Sequence, residues 1–173
     1  TMQAGKNPEP RKRYKKTEDF NYQVEEFIPL HKTQVEVNPL FFEVINNRES
    51  CRAFNKLTLG QLSSLLEQSA KAKKIVVSET GAILSHRTSP SAGAIHPIDI
   101  FISFPVALEQ RLLYYYDPIS HRLAKLKLGN AELIPFFENI NNCLPFDNAT
   151  LMWFAAHPDR TAAQYKNSGS LIW

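Results

Sequence analysis

The stretch Ser89-Pro90-Ser91-Ala92-Gly93-Ala94-Ile95-His96-Pro97, running directly into Ile98-Asp99-Ile100-Phe101-Ile102-Ser103-Phe104, decides how this chain folds. Its first half is a turn of small side chains and its second half alternates as a strand does. Where side chains are this small, backbone can approach a flat ligand to van der Waals distance, and its N–H groups are available to ring heteroatoms. The composition is also that of an ordinary turn. Alone it leaves both readings open.

Downstream the pattern continues in strands. Leu112 to Tyr116 and Leu123 to Leu128 read as a hairpin around Asp117-Pro118-Ile119-Ser120, because proline presets the backbone angle that the second turn position requires. Lys125 and Lys127 alternate with Ala124, Leu126 and Leu128, which predicts one wet face. Leu133, Phe136, Phe137 and Ile140 share a helical face, with Pro135 expected in the first turn. Ala149 to Ala156 is apolar apart from Thr150, the pattern of a strand covered on both faces. A short helix is expected from about Pro158 to Asn167, stopped by Gly169.

Upstream, Asn38-Pro39 supplies an N-cap and a first-turn proline for a helix whose core stripe is Leu40, Phe41, Val44 and Ile45. A second helix opens at Thr58 and carries Leu59, Leu62, Leu65, Leu66 and Ala70 on one face, with Lys71, Lys73 and Lys74 at its negative pole. From Ile75 to Thr88 no period stands out. Between the two helices, Arg48, Ser50 and Arg52 occupy alternate positions. In an extended segment they point the same way, so two guanidinium groups and a hydroxyl can converge on a phosphate. The bland alternative is a pair of surface charges capping helix carbonyls. The order helix, helix, strand, hairpin, helix, strand, helix is an α+β plan.

Composition narrows the function. With 173 residues, 43% hydrophobic and 21% charged, the chain suits one globular domain. No apolar run reaches the roughly 18 residues of a membrane span, and the start lacks a secretory signal's apolar centre, so a cytoplasmic location is expected. The net charge of +3 sits in residues 1–19, which hold six Lys/Arg against three acids. This predicts a solvated, disordered tail over residues 1–20 in front of a neutral body, which argues against a nucleic-acid enzyme. Cys51 and Cys143 have no close Cys neighbour and read as buried thiols. The five histidines show no metal-ligand spacing; His96 reads as a loop-closing residue, and Tyr114 to Tyr116 as strand packing.

Taken together, the two candidate segments resemble a known family. Arg48-Glu49-Ser50-Cys51-Arg52-Ala53-Phe54 is similar to the Arg-Arg-Ser-x-Arg-x-Phe signature of nitroreductase-fold domains, with Glu49 in place of the second arginine. Pro90 to Pro97 resembles the Pro-Ser-Ala-Gly-Ala-Leu-His/Tyr-Pro loop of SagB-type dehydrogenases, and Leu113 to Pro118 resembles that group's Leu-Tyr-His-Tyr-Asp-Pro hairpin. The resemblance spans roughly Pro39 to Gly169. It implies a nitroreductase-like α+β fold with a mostly antiparallel sheet flanked by helices, and a homodimeric, flavin mononucleotide (FMN)-dependent oxidoreductase with a small-molecule or peptide substrate. On this resemblance Arg48, Ser50 and Arg52 hold the FMN phosphate, and Pro90, Ser91, Ala92 and Gly93 line the flavin. Tyr165 is the implied catalytic residue, with Gln164 where the family's paired lysine stands. The family continues past this point, so a C-terminally incomplete domain over residues 38–173 is expected, preceded by an extended wrapping segment at 21–37. The alternative from a different class is a flavin-free module of the same fold that dimerises or binds a peptide or protein.

Overall fold

The computed structural model describes residues 22–32, 40–51, 53–78, 83–107, 110–128, 130–141 and 149–160. In chain order its elements are β1 (Val24–Pro29), α1 (Phe41–Asn47), α2 (Leu59–Ser69), β2 (Lys74–Val77), β3 (Ile83–His86), β4 (Ile98–Ala107), β5 (Gln110–Asp117), β6 (Arg122–Leu126), α3 (Asn130–Asn141) and β7 (Leu151–Ala156). Five strands form one antiparallel sheet in the order β1-β6-β5-β4-β7, and β2 and β3 form a separate antiparallel pair. The α+β plan holds. The hairpin β5–β6 turns at Asp117, whose Oδ1 accepts the N–H of Ile119 (3.0 Å) and of Ser120 (3.2 Å). That local side-chain acceptor is what an aspartate supplies at a turn.

The sheet buries both faces. On one, α2 lays Leu62, Leu66 and Ala70 against Ile102, Tyr114, Tyr116 and Leu123. Burying each leucine stabilises by about 1.5–3 kcal/mol. The start of α2 is fixed as the sequence predicts: Thr58 Oγ1 accepts the Gln61 N–H (3.2 Å) while Gln61 Oε1 accepts the Thr58 N–H (2.9 Å). On the other face Phe101, Tyr115, Ala124 and Leu126 gather with Tyr22, whose ring meets Phe101 edge-on at 5.3 Å. Tyr114 to Tyr116 are therefore packing residues, as expected.

Several expectations are corrected. The hairpin has no wet face, because both sides of the sheet are covered. Leu123 and Ala124 are both fully buried, and the half-buried Lys125 keeps its charge by pairing with Glu25 of β1 at 2.6 Å. The segment expected to wrap the surface instead adds β1 to the sheet edge. The stretch without a clear period contains β2 and β3, four residues each, too short for alternation to register. β7 lies at the opposite sheet edge and is not covered on both faces, since Phe154 is 66% exposed. Pro135 sits at the sixth position of α3 and not in its first turn, since the helix starts at Asn130. The helix α1 begins after Leu40, not after Asn38, and its stripe is not core: Phe41 is 70% exposed, and Val44 and Ile45 are about half exposed. Cys51 is exposed, not buried. Among the described residues no helix is long and apolar enough to cross a membrane. The basic tail, Asn38, Pro39, Cys143 and the chain beyond Arg160 lie outside the described residues.

Candidate functional site

The turn singled out in the sequence adopts a backbone that few side chains tolerate. Gly93 (φ 61°) and Ala94 (φ 54°), within a single turn of 3-10 helix at Ala92–Ala94, and His96 (φ 50°) just after it are all left-handed. For Ala94 and His96 this costs roughly 1–2 kcal/mol each. Local bonds hold it: Ser91 O accepts the Ala94 N–H (3.1 Å), and Ser91 Oγ accepts the His96 N–H (2.9 Å). The His96 ring closes the loop onto β3, its Nε2 lying 2.7 Å from Ser85 O. Because a carbonyl only accepts, Nε2 carries the proton there. Strained backbone maintained by such over-determination is a common mark of ligand-binding segments.

Behind the turn lies a charged cluster that the sequence reading missed. Arg160 donates bidentately to Asp99 (Nη1–Oδ1 2.7 Å, Nη2–Oδ2 3.0 Å), and both residues are buried. His157 Nε2 approaches Asp99 Oδ2 to 2.9 Å without the alignment of a hydrogen bond, so the contact is one of proximity. Arg87 joins from the end of β3. Its Nε donates to Ser85 Oγ (3.1 Å), and burial pushes the guanidinium below its ordinary pKa, with Asp99 and Arg160 among the charges acting on it. Asp99 was the available signal: an aspartate inside the apolar alternation of a buried strand needs a cation opposite it.

The turn and Arg87 border an open cavity of about 840 Å³ whose walls also include Ile100 and Phe154, with Pro90, Ser91 and Ala92 contributed by the turn. This is the size of a small-molecule or cofactor site. Of the sequence-derived site residues, Pro90, Ser91 and Ala92 line the cavity, while Gly93 sits in the turn above without lining it. Arg48 and Ser50 are exposed after α1 and contribute nothing to its walls within one protomer. Arg52 and Tyr165 lie outside the described residues.

A second buried polar group joins α2 to the hairpin. Ser63 Oγ donates to His31 O (2.6 Å) and so accepts from His121 Nε2 (3.2 Å), leaving Nδ1 as acceptor for the Tyr116 hydroxyl (2.8 Å). The three side chains are at most 5% exposed. Burial, aided by Lys71 and opposed by Glu67, lowers the His121 pKa, consistent with a neutral ring.

No family model matches this chain, and neither does any curated protein. Solved structures do. A structure provisionally described as a nitroreductase from Ralstonia eutropha JMP134 superposes with a TM-score of 0.58 at 24% identity, over 96% of this chain and 70% of that one. Another with the same provisional description, from Anabaena variabilis ATCC 29413, gives 0.56 at 20% identity, over 96% of this chain. The chain spans only 30% of that second protein. The fold is thus a nitroreductase-like one, as the resemblance implied.

Proposed function

We propose that this chain is an FMN-dependent oxidoreductase of the nitroreductase type, closest in kind to SagB-type dehydrogenases, acting as a homodimer. The observation that carries the reading is the strained, side-chain-poor turn at the mouth of a cofactor-sized cavity, within a fold shared with proteins provisionally described as nitroreductases. The residues present suit a flavin. Ser91 and Ala92 leave backbone accessible at the cavity wall, and a flat ring needs that approach. Arg48, Ser50 and Arg52 would hold the phosphate, their guanidinium groups offering bidentate donors. When bound, the flavin supplies a two-electron relay, taking hydride from a nicotinamide or azoline donor and yielding it to a second substrate.

The homodimer is supported by what one protomer leaves undone. Arg48 and Ser50 stand outside the cavity wall, and beside them α1 leaves Phe41, Phe42, Val44 and Ile45 to solvent. A second copy seated on α1 buries this patch and can bring the cationic notch of one chain to the turn of the other. Tyr165 would then position or protonate the substrate. Flavin absorbance of the purified chain tests the reading, before and after incubation with excess FMN. Near-stoichiometric flavin is expected, as is a loss of about 2–5 kcal/mol of FMN affinity in Arg52→Ala. Absence of flavin under both conditions refutes it. The exposure of Arg48 and Ser50, with Glu49 between them, favours the second reading, a flavin-free module of the same fold that binds itself or a peptide.

A further inference from the structure

Among the described residues, Arg87 has no counter-ion of its own. The carboxylate acting on it is Asp99, which Arg160 already engages through both oxygens at 2.7 and 3.0 Å. Among the described residues the Arg87 guanidinium makes one hydrogen bond, from Nε to the neutral hydroxyl of Ser85. Its remaining donors meet no other described residue, and the partly desolvated group forms part of the cavity wall. A half-buried cation at the cavity wall keeps its guanidinium fork available to a ligand, and that fork matches a carboxylate bidentately. The rest of the wall decides the body of the ligand, since Ile100, Met152 and Phe154 offer it apolar surface. A fully hydrated dianion would lose solvation against those side chains.

We propose that this cavity binds a small organic acid, its carboxylate on Arg87 and its apolar body against Ile100, Met152 and Phe154. That the acid is the substrate rests on the oxidoreductase reading above; that it binds does not, so the two can fail separately. The experiment is calorimetric titration of the purified full chain with benzoate, with neutral benzamide and with inorganic phosphate. Benzoate should bind saturably and more tightly than benzamide by about tenfold to a hundredfold. Arg87→Met should remove that difference while leaving benzamide affinity unchanged. Ile100→Trp, which narrows the cavity and keeps the cation, should weaken both. Equal binding of benzoate and benzamide by the unaltered chain overturns the proposal, whatever the folding of the variants. So does phosphate binding more tightly than benzoate, or benzoate affinity indifferent to both substitutions. FMN absorbance of the unaltered chain, followed in parallel, reports on the flavin reading, since Arg87→Met and Ile100→Trp alter the cavity wall that both ligands would share.

Discussion

Replacing Tyr116 by phenylalanine removes one oxygen from the interior and leaves its ring in place. In the intact chain the relay runs from the Tyr116 hydroxyl to His121 Nδ1 and from Nε2 through Ser63 Oγ to His31 O. Without the hydroxyl, Nδ1 has no donor. Moving the ring proton to Nδ1 does not help: Ser63 must then turn its hydrogen to Nε2 and abandon His31 O, and the new N–H faces the phenyl ring. Either tautomer strands a polar group, and His121 is only 5% exposed. One stranded buried group costs about 1–3 kcal/mol. Urea unfolding at pH 7.5 should show the unfolding free energy falling by that amount, through a lower midpoint at an unchanged slope. The acid limb supplies a second readout. His121 has its folded pKa below the ordinary 6.5, so its contribution is fully present above that value and is lost as pH falls through the lower folded value. Freeing Nδ1 for protonation raises the folded pKa toward the ordinary value, so the loss ends at a higher pH and is smaller. A stability change under about 0.5 kcal/mol, or an unmoved acid limb, would refute the relay as drawn.

Three further outcomes follow from other contacts. Arg160→Met leaves Asp99 buried without its bidentate partner and should cost about 3–5 kcal/mol, measured by thermal or urea unfolding. Thr58→Ala removes the side-chain acceptor at the start of α2 and should cost about 0.5–2 kcal/mol in the same assay. Gly93→Val places a branched side chain at φ 61° and should destabilise by more than about 1 kcal/mol, whereas Ala94→Gly at φ 54° should be neutral or stabilising.

Legibility in the sequence followed the range of the physical signal. Thr58 announced α2 because capping is decided within four residues, and Asp117-Pro118 announced the hairpin for the same reason. Apolar periodicity found α1 but not its exposure: an apolar stripe left open to solvent looks the same in sequence as one packed into the core. β2 and β3 escaped because four residues give two alternations, no more than chance. At the site, the turn was legible from its small residues, while the Asp99–Arg160 pair was not. Its partners stand 61 positions apart, and only the fold joins them.

That separation has an evolutionary corollary. Asp99 neutralises one arginine fully and tempers a second, so positions 87, 99 and 160 should not drift independently. Loss of the acid at 99 would release two cations into the interior at once, and homologues are expected to change these three positions together. The same tie fixes how short a folding unit can be. A boundary drawn between β7 and Arg160 would orphan a buried acid near the start of β4, which makes Arg160 an integral part of this domain.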